Sequence, residues 1–130
     1  MNATTPTAAV VLDRAADVAT IAVIHMSDDL RTSLAIGPAE LEAFPDVVRH
    51  LVTDRPAIDD HLAHLRATPF VSYDGAIDLR WSLTYADADG KTIGSVYADR
   101  FGLAGYVGNR PAEFDDEGAF GAFLRATYPD

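Results

Sequence analysis

"AIDLRWSLTYADADGKTIGSVYAD", Ala76 to Asp99, is the stretch whose reading decides the fold class. In its first half Ile77, Leu79, Trp81, Leu83 and Tyr85 alternate with Asp78, Arg80, Ser82 and Thr84. A period of two with one apolar side is a strand that buries one face and wets the other. Such strands belong to antiparallel sheets rather than to buried parallel ones. A second strand is expected near Thr92–Asp99, so the residues between the two must turn the chain.

Asp87, Asp89 and Gly90 in that turn have the spacing of positions 3, 5 and 6 of a calcium loop. Position 1 is then Tyr85 and position 12 is Val96, where such a loop needs an oxygen ligand and a bidentate Glu. The pattern fails at both ends. Asp and Gly are also what a tight hairpin bend requires of its backbone, and that is the reading expected here.

Upstream, PFVSY and Asp74-Gly75 precede Ala76. Asp-Gly supplies the positive φ pair of a type I′ turn, which predicts a hairpin between Phe70–Tyr73 and Ala76–Tyr85. Before it, Asp54-Arg55-Pro56 opens a helix with Ile58, Leu62 and Leu65 inward, ending at Pro69. Gly37-Pro38-Ala39-Glu40 opens another, proline suiting its first position and Glu40 its dipole. Leu41, Phe44, Val48 and Leu51 extend its apolar stripe to about Thr53, with Pro45 kinking or splitting it. TIAVIHM and LRTSLAI flank Ser27-Asp28-Asp29 as an N-terminal hairpin. Ala8–Asp17 reads equally as a short helix or a strand, and about residues 1–7 are expected to fray.

Downstream, short strands are expected at Leu103–Val107 and Arg110–Phe114, separated by Gly108-Asn109. Asp115-Asp116-Glu117 then caps a last helix with Phe120, Phe123 and Leu124 on one side. The expected architecture is a single α+β domain. It has an N-terminal β-hairpin, two central helices, and a C-terminal antiparallel β-meander capped by the last helix.

Composition bounds the function. Twenty Asp and Glu against ten Lys and Arg give a formal charge of −10, and cysteine is absent. An acidic surface repels phosphate backbones and anionic lipid, so neither nucleic acid nor membrane is an expected partner. It attracts a basic protein and speeds the encounter. With no cysteine the chain holds no disulfide or thiolate metal site, and no bridge reports on the redox compartment. Its first residues lack a secretory or transit pattern, and on that ground a cytoplasmic setting is expected.

No motif assigns catalysis. His61 and His64 stand three apart on a predicted helix beside Asp59 and Asp60, yet no HExxH or third ligand accompanies them, and no metal or other cofactor is expected. Gly102, Gly105 and Gly108 between Arg100 and Arg110 match no phosphate loop and read as strand ends and turns. Trp81, Tyr85, Tyr97, Phe101, Tyr106 and Phe114 concentrate on the predicted sheet, and most belong in a core. Tyr97, Asp99, Arg100, Tyr106 and Arg110 are the candidate binding residues, because alternation breaks among them and Tyr and Arg are common anchors at interfaces.

The expected function is a small non-enzymatic binding protein that recognises a basic protein partner, of inhibitor, antitoxin-like or adaptor type. The alternative is a small-molecule or weakly catalytic site between sheet and helices. A subunit exposing a strand edge for self-association is a third.

Overall fold

The structure is a computed structural model that describes residues 7–26, 36–44 and 47–129. These form seven strands and four helices: β1 (Thr20–Met26), β2 (Val47–Val52), β3 (Phe70–Ser72), β4 (Leu79–Ala86), β5 (Thr92–Asp99), β6 (Ala104–Val107) and β7 (Arg110–Phe114), with α1 (Ala9–Leu12), α2 (Pro38–Ala43), α3 (Arg55–Arg66) and α4 (Ala119–Thr127). All pairings are antiparallel, in the order β2-β1-β4-β5-β6-β7-β3. The α+β architecture read from the sequence is the one found.

β4 is an interior strand between β1 and β5. The expected alternation holds from Trp81 to Tyr85, but a bulge between Leu79 and Trp81 turns Leu79 to the outer face. Arg80 and Ser82 are buried rather than wet. Trp81, Leu83 and Tyr85 join Ile21 and Val23 of β1 and Val96 of β5 on an inner face. Ile58, Leu62 and Leu65 of α3, Phe120 and Leu124 of α4, and Val11 of α1 cover that face. Each fully buried Leu, Ile or Phe contributes about 1.5–3 kcal/mol, so this layer dominates stability. On the outer face Leu41 of α2 packs with Met26, Ile36 and Leu79 in a second, smaller cluster.

The bend after β4 is a hairpin turn. Asp87 Oδ1 accepts from the backbone N–H of Asp89 (2.9 Å) and of Lys91 (3.0 Å), and Gly90 takes the left-handed φ of 81°. The carboxylate that suggested calcium is engaged by its own turn. Helix starts also match expectation: Pro38 opens α2, the Asp54 side chain accepts from Ala57 N–H at the head of α3, and Asp116 accepts from Gly118 and Phe120 N–H before α4. Ala8–Asp17, open in the sequence, is helical, as α1 and a 3-10 turn at Ala15–Asp17.

Two expectations are corrected. Asp74-Gly75 makes no hairpin: β3 pairs with β7 at the far edge, and Gly75 does not take positive φ. Residues 73–78 instead carry the chain past β7, β6 and β5 to β4. Four strand spacings of ~4.8 Å make about 19 Å, within the ~24 Å that seven Cα steps can span. The helix expected through Thr53 ends at Ala43, and Val47–Val52 is a strand. Val48, His50 and Val52 are half-buried while Arg49 and Leu51 are exposed, so period two wins over the helical stripe. Pairing with β1 over six residues supplies the long-range term that local spacing lacks. TIAVIHM is a strand as expected. Its predicted hairpin partner at 30–36 lies outside the described residues, apart from Ile36.

Candidate functional site

Tyr97 of β5 and Tyr106 of β6 face each other directly across the strand pair on the outer face, both half-buried at the rim of the α2 cluster. Tyr97 Oη donates to Glu42 Oε1 of α2 at 3.4 Å. Partial burial, and then the Glu42 carboxylate, raise the Tyr97 pKa, so the hydroxyl stays a donor. Asp99 closes β5 on the same face, and Arg100 follows it. Arg110 does not join them: it pairs with Val107 and lines a groove on the inner side with Val10, Gly94 and Asn109.

The break in alternation at Asp99 is a rigid turn. Asp99 Oδ1 accepts from Phe101 N–H (3.1 Å) and Leu103 N–H (2.9 Å), and its carbonyl accepts from Gly102 N–H (3.2 Å). Gly102 has φ 69°, and a methyl group there would lie 2.5 Å from Gly121 Cα, so the turn rests flush on α4. Arg125 of α4 donates to Arg100 O at 3.3 Å. This knuckle leaves Phe101 57% and Leu103 45% exposed. Among the described residues Phe101 is the one phenylalanine classed as exposed.

The connection from β7 to α4 runs beside the knuckle. Phe114 N–H donates to Leu103 O at 2.9 Å, and Gly118 lies against the Leu103 side chain. That places the exposed carboxylates Glu113, Asp115 and Glu117 on the segment next to the exposed apolar pair. Sequence reasoning assigned Phe101 to the sheet aromatics and Leu103 to a strand start, and so missed them as display residues. The available signal was Asp99, two residues before Phe101 and four before Leu103, with glycine between them: a side-chain-capped turn.

The histidines form a separate constellation. His61 is fully buried, with Nε2 2.7 Å from Tyr85 Oη and Nδ1 2.8 Å from Tyr128 Oη. Both ring nitrogens are occupied by tyrosines. His64 stacks on Phe123 with centroids 3.9 Å apart. His25 stacks on Trp81 at 4.1 Å and lies parallel to His50. Among the described residues no group of three or more His, Asp or Glu is placed to hold a metal ion.

A cleft of about 590 Å³ opens at the end of the sheet, between Val18, Ala19, Thr53 and the β4–β5 turn. Its charges answer one another. Arg14 pairs with Asp17 (3.2 Å) and Asp87 (3.8 Å), while Arg55 donates to the carbonyls of Val18 (2.7 Å) and Ala15 (3.1 Å). No described helix is long and apolar enough to cross a membrane. No protein-family model, curated protein or solved structure matches the chain.

Proposed function

We propose that this chain is a non-enzymatic binding protein, of inhibitor, antitoxin-like or adaptor type, that recognises a basic protein partner in a cytoplasmic setting. The observation that carries the reading is the Asp99–Leu103 knuckle, which holds Phe101 and Leu103 in solvent beside Glu113, Asp115 and Glu117. A turn whose backbone is already ordered by its own hydrogen bonds loses little backbone freedom on docking, so more of the apolar burial goes into affinity. An aromatic anchor with a charged rim is the usual make-up of an interface hot spot. The formal charge of −10 gives a basic partner a faster encounter. Tyr97, Asp99, Arg100 and Tyr106 extend the surface along the outer face, and Arg110 lies beyond it.

Affinity capture at low and high salt, followed by titration of the purified partner, tests the reading. The expected partner is basic, binds more weakly as salt rises, and is lost on Phe101→Ala/Leu103→Ala, with the variant's melting midpoint close to wild type. A partner that the double variant retains in full, or whose affinity ignores salt, refutes it.

One observation favours a small-molecule reading: the 590 Å³ cleft has the volume of a metabolite site. A ligand there would compete with the Arg14–Asp17 and Arg14–Asp87 pairs. Thermal-shift screening against small zwitterions should then raise the midpoint, and Arg14→Ala should abolish the rise.

A further inference from the structure

We propose that β2 is a self-pairing edge through which two copies of this chain join antiparallel into one continuous sheet. Among the described residues β2 stands outermost in the strand order and bonds to β1 alone. In an antiparallel strand every second residue turns its N–H and C=O away from its neighbour. Among the described residues no backbone group outside β1 bonds to Val47–Val52. The side-chain bonds described there, Arg49 to Glu42 O and His50 to Pro129 O, do not use that outward row.

The two edges of the sheet differ in protection. β3 is three residues long, follows Pro69 and is followed closely by Asp74. Short length, proline and charge are the devices by which native edges refuse further strands. β2 runs six residues in unbroken register with β1 and contains no proline, lysine or carboxylate. Leu51 in it is 67% exposed, more than any other large apolar side chain described.

Charge decides the occupant. Two chains of −10 repel over most of their surfaces, but the one fully charged side chain in β2 is Arg49. A basic extended segment would meet a like charge there. A second β2 brings its own Arg49 but no carboxylate, and a register that keeps the two arginines apart avoids that repulsion. A two-fold axis normal to the sheet sets residues of the same face opposite each other, so the pairing centres on a residue. Centred on Arg49, it would oppose two arginines. Centred on His50, it sets Val48 opposite Val52, and Arg49 of one copy opposite Leu51 of the other, where the leucine can cover the arginine's methylene stem. The knuckle between β5 and β6 is three strands away from β2, so both copies keep it accessible.

Sedimentation of the full chain from micromolar to near-millimolar concentration should show a monomer–dimer equilibrium. Leu51 is exposed, so its variants keep the fold, checked by an unchanged cooperative melt. In the His50-centred register Leu51→Lys faces Arg49 twice and should weaken the dimer by about two- to thirtyfold in Kd. Leu51→Glu faces Arg49 with the opposite sign and should tighten it, although it adds negative charge to an acidic chain. Loss of an apolar patch alone predicts weakening by both substitutions. A monomer at every concentration, equal weakening by both variants, or a dimer lost on Phe101→Ala instead overturns the proposal.

Discussion

Replacing His61 with glutamine separates what its hydrogen bonds contribute from what its titration costs. A neutral imidazole has one donor and one acceptor, so it gives a proton to one of Tyr85 and Tyr128 and accepts from the other. Burial raises the pKa of both tyrosines, that of Tyr85 well above its ordinary value and that of Tyr128 to about 12, so both hydroxyls stay neutral. An imidazolium has two donors and no acceptor. Protonation would bury a charge and leave one hydroxyl hydrogen without a partner in a site closed to water. Burial, and then repulsion from His64, lower the His61 pKa from 6.5 to about 3.

Between pH 6.5 and about 3 the unfolded chain therefore binds a proton at His61 that the folded chain refuses. The stability associated with the neutral ring is present in full above pH 6.5 and is lost as pH falls through this window. The difference, 6.5 − 3 = 3.5 units, corresponds to on the order of 5 kcal/mol at ~1.36 kcal/mol per unit. That is a large share of the ~5–15 kcal/mol that holds a domain together.

His61→Gln keeps a donor and an acceptor on one side chain but does not titrate. Its amide cannot span both tyrosines as the ring does, so at pH 7 the variant should be less stable by about 1–3 kcal/mol. On acidification the wild type should lose stability faster, by up to ~1.4 kcal/mol per pH unit, and the two should cross. Urea unfolding at several pH values, followed through Trp81, the single tryptophan and itself buried, measures both curves. Groups not coupled to His61 are common to both proteins and cancel in the difference, which therefore reads His61 with its repulsion from His64 included. Parallel pH profiles would sink this account of the core.

Gly102→Ala forces a left-handed φ on alanine and drives a methyl group into Gly121, so it should cost at least ~1–3 kcal/mol. The same variant should weaken partner capture by displacing Phe101, whereas a Gly102 that serves stability alone predicts full capture by the folded fraction. Asp87→Ala removes the acceptor of the Asp89 and Lys91 N–H groups and should lower stability by about 1 kcal/mol, near the low end because the turn is open to water. Calcium added to the wild type should leave its melting midpoint unchanged; a rise that Asp87→Ala abolishes would restore the metal reading.

The meander from β4 to β7 was legible because each strand there has two neighbours. Leu83 and Tyr85 answer to β1, β5 and the helices together, so every second position must be apolar. The turns were legible where a single residue must do one backbone job, as at Gly90 and at Gly108, which has φ 63°. The candidate surface was legible only in part. A break after Tyr97 could be seen, but whether Phe101 pointed inward depended on Gly102 meeting Gly121, residues nineteen positions apart. Arg110 was grouped with the others by proximity in sequence, whereas its pairing with Val107 sends it to the other face.

Both misread segments are edge strands, and this has a physical cause. An edge strand bonds on one side only, so half of its backbone groups and one flank of its side chains answer to solvent or to another molecule. β2 could therefore place Val48 and Leu51 so that they continue the Leu41-Phe44 spacing and imitate a helix, because among the described residues no second neighbour demands strict alternation. β3 could stop after three residues and leave Asp74-Gly75 as a crossing rather than a turn. Where the fold constrains a residue weakly, other demands can set its identity. Leu51 on an open edge and Phe101 on a capped knuckle are apolar although folding gains little from either. A partner at the knuckle and a second copy at β2, the two contacts proposed above, would each bury one of them on binding.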